Sequence, residues 1–389
     1  DKRHRTLGFA QTAEAEAAQT SPRARAALEA YAKGVNAYIA SLDAKNLPPE
    51  FQILQYKPRP WTPADSLVVV KLFFEALSNS WRLDVMREAL ADLPPDKLAA
   101  LLPEKSPIDV LVVGTDTPNK SGSLGLQRSA VASIVPDEVL KALKEEEIIQ
   151  SRSLARVGLY AEALAASNNW VVSGKHTASG KPLLANDPHL MSSAPSIWHM
   201  VHLAAPGVRV AGVTAAGLPG VVIGHNENIA WGFTNVGPDV QDLYIEKFDP
   251  QNPSRYLTPS GWREAEIRHE AIKVRKGFTD SVTDTVNHDV IVTRNGPIIF
   301  EKAGKRYALR WTALDPKLHS PDISYSLDRA RNWNEFKTAL QSYTAPMQNM
   351  VYADTAGHIG YYAAGIVPIR KSGDGSVPYD GSTDAGEWT

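Results

Sequence analysis

The stretch LAASNNWVVSG, residues 164–174, sets Ser167 directly after two alanines and ahead of a short run that alternates like a strand. A serine hydroxyl is a weak nucleophile until a base takes its proton. Within three residues of Ser167 there is no His, Lys or carboxylate, and the nucleophile elbow G-x-S-x-G occurs nowhere in the chain. Taken alone, the segment reads as a surface serine at the start of a strand.

Three further segments follow in order: KPLLANDPHL at 181–190, GLPGVVIGHNENIAWGFTN at 217–235 and QNMVYADTAGHIGYY at 348–362. With these, the chain over about residues 160–389 resembles the penicillin acylase (penicillin amidase) family of N-terminal-nucleophile hydrolases. The resemblance implies that the precursor cuts its own peptide bond before Ser167. The freed α-amino group of that serine then supplies the missing base.

Hydrophobic residues make up 43% of the 389 and charged residues 22%, which suits a globular protein with one large core or two domains. A net charge of −2 gives no electrostatic reason to expect nucleic acid or an acidic membrane as partner. No apolar run approaches bilayer length. Without cysteine, disulfides and thiolate metal sites are excluded. The chain begins at Asp1 and reads as an internal portion of a longer precursor, so the lack of a targeting segment is uninformative. The resemblance implies a periplasmic or secreted protein.

Residues 1–116 read as a helical portion. Ser21-Pro22 opens a helix in which Leu28, Tyr31, Val35, Tyr38, Ile39 and Leu42 recur at helical spacing. Thr62-Pro63 with Asp65 opens another, expected to run towards Leu90 and to end before Pro94-Pro95. Residues 117–166 combine a small, polar run with a charged helix after Pro136. By resemblance they are a spacer excised on maturation, which leaves α and β subunits from one precursor. From 167 to 389 short alternating runs separated by Gly, Pro and Asn read as strands, with a turn at Asn295-Gly296 and a short helix from Asn332 to Tyr343. Composition alone gives α+β; the resemblance implies the four-layer αββα sandwich.

Amide hydrolysis needs a nucleophile, a proton acceptor that later donates, and donors for the oxyanion. The resemblance assigns these to Ser167, its own α-amine, the side-chain amide of Asn349 and the backbone N–H of Asn235. It also gives His189 a role in orienting the nucleophile and Arg370 a place near the substrate's carboxylate side. Read as residues alone, His189 is equally a core histidine, Asn349 a turn residue and Arg370 a solvated arginine. Asn186, Asp187 and His225 read as scaffold.

Leu190, Ile223 and Phe233 line the acyl pocket by resemblance. All three are apolar, which favours a hydrophobic acyl group over a dicarboxylate one. Phe73 and Phe74 belong either to the core or to a helix closing over that pocket. Asp239-x-x-Asp242 suits Ca²⁺, and the family's site uses these two carboxylates, a carbonyl near Gln241 and a glutamate. Where that glutamate falls the chain reads SWRLDV, which leaves Asp84 as the substitute. The expected function is removal of a hydrophobic acyl group from small N-acylated molecules, penicillins or acyl homoserine lactones, with no cofactor in the chemistry. The alternative is an uncleaved scaffold or binding homologue.

Overall fold

A computed structural model describes residues 1–43, 45–101, 137–156, 166–190, 193–277, 280, 282, 284–318 and 323–389. Ahead of Ser167 the described chain is helical: α1 (Lys2–Leu7), α2 (Phe9–Gln19), α3 (Pro22–Ser41), α4 (Pro49–Leu54), α5 (Pro63–Leu77), α6 (Trp81–Leu90), α7 (Pro95–Leu101) and α8 (Asp137–Ala155). The caps explain the starts. Ser21 accepts from the Ala24 N–H, and Thr62 with Asp65 closes a capping box over Pro63. Along α3 the inward stripe is Ala24, Leu28 and Ala32, whereas Tyr38 is exposed. This stripe, with residues four apart on one face, packs α3 on α5.

The expected long helix towards Leu90 is two helices. Ser78 is extended, and the carbonyls that end α5 are taken by side chains: Glu75 O accepts from Gln150 Nε2 (3.0 Å) and Leu77 O from Asn235 Nδ2 (3.1 Å). The boundary expected between 116 and 117 lies outside the described residues. Within the expected spacer, α8 is docked, and it buries Val139, Leu143, Gln150 and Leu154.

From Ala166 the chain is mainly strand. In order these are β1 (Ala166–Val172), β2 (Leu183–His189), β3 (Trp198–Ala205), β4 (Val208–Ala215), β5 (Ile223–Asn226), β6 (Ile229–Asn235), β7 (Gln241–Glu246), β8 (Arg255–Thr258), β9 (Gly261–Glu264), β10 (Glu266–Val274), β11 (Asp284–Thr293), β12 (Gly296–Lys302) and β13 (Lys305–Trp311). Helices α9 (Ile323–Leu327) and α10 (Trp333–Leu340) precede β14 (Gln348–Asp354), β15 (Ile359–Ala364) and β16 (Tyr379–Asp380). Asn332 caps α10 through a 3.0 Å bond from the Glu335 N–H.

Among the described residues two six-stranded sheets form, ordered β10-β11-β12-β13-β7-β16 and β15-β14-β6-β5-β4-β3, with β1-β2 and β8-β9 as separate ribbons. One core lies between the first sheet and the N-terminal helices. There Leu7, Phe9, Phe74, Trp81, Val85 and Leu90 meet Leu243, Phe300, Tyr307, Leu309 and Trp311. A second joins Trp231, Met350 and Tyr352 of the other sheet to Leu327, Phe336 and Leu340. Alternation along β6 and β14 turns these residues to the helices and Thr234 and Asn349 to the opposite face. The β1–β2 ribbon is bonded on that side. The result is an α+β fold with helices outside and β structure within.

Candidate active site

Strand β1 pairs antiparallel with β2, and Ser167 stands opposite Pro188. Side chains alternate across the ribbon, so Ser167, Asn169, Asn186 and Pro188 share one face and Asn168, Asp187 and His189 the other. Asparagines on the first face fasten the ribbon to the sheet. Asn169 Nδ2 donates to the Asn349 carbonyl (2.8 Å). Asn186 donates to the Phe233 carbonyl (3.1 Å) and accepts from the Phe233 N–H (2.8 Å). A Cβ at Gly232 would come within 2.8 Å of the Asn186 side chain, so this approach requires glycine.

The same register defines the end of β6. The Val236 N–H bonds to Met347 O (3.1 Å), one step beyond the Asn235–Gln348 pair. Hydrogen-bonded and non-bonded pairs alternate in an antiparallel ladder. The backbone N–H of Asn235 therefore points away from β14, to the side where pairing with β5 has already ended at Trp231. Asn186 uses that side to satisfy Phe233, two residues earlier. Beyond it lies the cavity.

This cavity has a volume of about 440 Å³ and brings together Ser167, Asn235 and Asn349. Its apolar walls include Phe73, Leu77, Leu190, Trp198, Ile223 and Phe233. Phe73 stacks on Trp198 with ring centroids 6.2 Å apart. Leu190, Ile223 and Phe233, named from the sequence, thus all line this cavity. Phe73 is a lining residue, but Phe74 is core: it is 4% exposed and belongs to the cluster that holds Trp81 and Trp311, because adjacent residues on α5 point about 100° apart. Phe74 lines two smaller hollows instead, one of about 150 Å³ that it shares with Phe73 and Phe233 and one of about 100 Å³ beside Leu28 and Leu67. Trp198, Leu77, Thr234 and Gln348 were not foreseen. Thr234 and Gln348 stand next to the named amides in the sequence, whereas nothing local to Trp198 signals its place.

Two other expectations look different in three dimensions. His189 lies between the lining residues Pro188 and Leu190, on the ribbon's outer face, where Nε2 is 2.9 Å from Asp187 and 3.3 Å from the Asn168 amide. Arg370 is not on the cavity wall. Its guanidinium forks onto both carboxylate oxygens of Asp242 (2.8–3.0 Å) and reaches Asp239 (3.1 Å). The Trp388 indole N–H completes Asp242 at 2.6 Å. A planar guanidinium matches a carboxylate edge to edge, so Arg370 is consumed by the acidic pair.

That arrangement bears on calcium. Asp84 is brought beside Asp239 and Asp242, as its place in the sequence suggested. Burial first, then these two carboxylates, push its pKa up to about 9. Both Asp84 oxygens, Asp239 Oδ1 and the side-chain oxygen of Gln241 are buried without a hydrogen-bond partner. Yet Asp242 is saturated by Arg370 and Trp388, and among the described residues no three carboxylates or histidines converge as a ligand set. The residues as placed do not fit a cation shared by Asp239 and Asp242, because a guanidinium already stands between them.

A strand-borne serine, two asparagines and apolar side chains thus share one cavity in an α+β fold. The comparisons agree. The penicillin amidase family matches residues 1–389. The acyl-homoserine lactone acylase QuiP of Pseudomonas aeruginosa is 32% identical over the whole of this chain and 45% of its own length. The penicillin acylase 2 proenzyme of Pseudomonas sp. is 28% identical over 99% of this chain and 47% of its own. Among solved structures, the thermostable penicillin G acylase from Alcaligenes faecalis matches with a TM-score of 0.52 at 29% identity, covering 57% of this chain and 39% of that one. The chain belongs to the penicillin amidase family and spans about half the length of the curated relatives it matches.

Proposed function

We propose that this chain carries the nucleophile site of an amide hydrolase that removes a hydrophobic acyl group from small N-acylated molecules. The observation that carries the reading is the one cavity shared by Ser167, Asn235, Asn349 and a set of apolar side chains. In the uncut chain Ser167 lies within a paired strand and has no α-amine. Attack of Ser167 Oγ on the Ala166 carbonyl, followed by hydrolysis of the resulting ester, frees that amine. Its pKa is about 7.7–8.0 in model peptides and falls on burial, so near pH 8 it is largely an unprotonated base.

In the mature site the amine takes the Ser167 hydroxyl proton as Oγ attacks the acyl carbon. The tetrahedral oxyanion receives hydrogen bonds from Asn349 Nδ2 and the Asn235 N–H. Collapse expels the substrate's amine, which takes the proton, and water then hydrolyses the acyl ester. Aliphatic walls at Leu190 and Ile223 favour straight acyl chains, those of acyl homoserine lactones included, alongside or above phenylacetyl. QuiP of Pseudomonas aeruginosa, by its name, acts on such lactones. In keeping with the excised spacer expected of the family, the cut separates α and β portions, and the site works in the periplasm or outside the cell. The packing of α8 argues that it stays with the α portion, which leaves residues 156–166 as the removable part.

The purified chain, run on a denaturing gel and sequenced from its N-termini, tests this. Two fragments are expected, one beginning at Ser167, with hydrolysis of octanoyl amides at least equal to that of phenylacetyl amides. Ser167→Ala is expected to stay uncut and inactive. A single persistent band from the native sequence would support the scaffold reading instead.

A further inference from the structure

Strand β15 lies beside β14, with Tyr361 opposite Val351 and Ala363 opposite Asn349. Tyr361 and Asn349 therefore share a face, two residue pairs apart along the ladder. The Tyr361 hydroxyl donates to Asn349 Oδ1 at 2.6 Å. At the other end of the same amide, Nδ2 donates to Thr234 Oγ1 at 3.3 Å, and Thr234 is the cross-strand partner of Asn349 on β6. Tyr361 is not on the cavity wall, whereas Asn349 and Thr234 are. One amide thus has its carbonyl end held from outside and its NH₂ end turned inward.

We propose that Tyr361 is a positioning residue for Asn349, acting through the amide's carbonyl oxygen. This rests on the reading that Asn349 Nδ2 stabilises the oxyanion. An amide side chain carries a donor end and an acceptor end on one rotatable bond. Its two orientations would present opposite polarity to a developing negative charge. A phenol donating to Oδ1 favours the orientation that presents N–H to the cavity. It also draws electron density towards Oδ1, which strengthens the opposite N–H as a donor. The backbone cannot do this alone: Asn169 holds only the main-chain carbonyl of Asn349. Thr234 cannot do it alone either, because an aliphatic hydroxyl accepts as readily as it donates, whereas the more acidic phenol is the stronger donor and the weaker acceptor.

The test uses the matured protein and four forms: native, Tyr361→Phe, Asn349→Ala and the double variant. Steady-state kinetics on an octanoyl amide are read beside the affinity for octaneboronic acid, which forms a tetrahedral adduct on a serine oxygen. Loss of a well-placed group that only orients the reacting centre can cost one to two powers of ten. Tyr361→Phe is expected to lower kcat about tenfold and weaken the boronate by about the same factor, with KM within about twofold. In the Asn349→Ala background the same change is expected to have little further effect. If Asn349→Ala is impaired but Tyr361→Phe keeps native kcat, or if the two losses multiply in full, the positioning role is wrong. If Asn349→Ala itself keeps native kcat, the oxyanion reading fails first, and the Tyr361 proposal with it.

Discussion

Ser167 is chemically ordinary until its surroundings are assembled, and the residues that assemble them are mostly amides. Asn169, Asn186 and Asn235 each bond a carbonyl of another element, and Asn349 is held at both ends. An uncharged donor suits a site whose base is an amine, since a nearby cation would lower that amine's pKa. Removing one oxyanion donor typically costs two to three powers of ten in rate. Asn349→Ala is accordingly expected to lower kcat by about 10²–10³ with little change in KM, measured by steady-state hydrolysis. Arg370 is the contrasting case. Asp242 is fully buried and bonded to it, so Arg370→Ala strands a buried charge, a loss that commonly costs about 3–5 kcal/mol. A large fall in melting temperature is expected for that variant, together with indifference of the native chain to a calcium chelator. A native chain that melts lower in chelator, with a mild Arg370 variant, would show that a metal does this work.

Elements were legible where their signals are local. Ser21, the Thr62-Pro63-Asp65 box, Asn332 and Asn295-Gly296 each mark a boundary through bonds within a few residues, and the structure places helix starts or a turn there. The break between α5 and α6 was not legible, because the groups that end α5 come from Gln150 and Asn235, far along the chain. The bond from Arg370 to Asp242 is equally distant in sequence, and so is the Tyr361 clamp in its dependence on strand register. The family motifs supplied the cavity residues that periodicity could not. At this scale Asp328, just after α9, also matters: it accepts from the Val221 N–H and sets the loop ahead of β5. Burial pushes its pKa up to about 7. A carboxyl whose folded pKa is raised binds its proton more tightly folded than unfolded, so its stabilising contribution is complete below about pH 4 and is lost as pH rises through about 7. Asp328→Asn keeps an acceptor for Val221 and cannot titrate. Its melting temperature is expected to gain on the native chain between pH 5 and pH 8; equal slopes in scans across that range would contradict the argument.

Across the whole molecule, the site is built from both sides of the bond before Ser167. Phe73 and Leu77 come from the helical portion and the remaining walls from the strands and the residues just after them. The main core is shared in the same way, with Trp81 and Leu90 packed against Phe300 and Trp311, and buried Lys71 donating to the Ala313 carbonyl (2.9 Å) as well as pairing with Glu16. The proposed cleavage would therefore open a bond without opening the core. The two portions are expected to co-elute in size-exclusion chromatography and to separate only in denaturant. Intact masses are expected to keep residues 137–155 with the first portion, since Val139, Leu143 and Leu154 are core. The account as a whole is tested most directly by acid-quenching the matured protein during turnover of an octanoyl amide and mapping the acyl group by peptide mass. It predicts one octanoyl ester, on the peptide that begins with Ser167. Turnover that proceeds with the acyl group on another side chain, or with Ser167 still joined to Ala166, would contradict it.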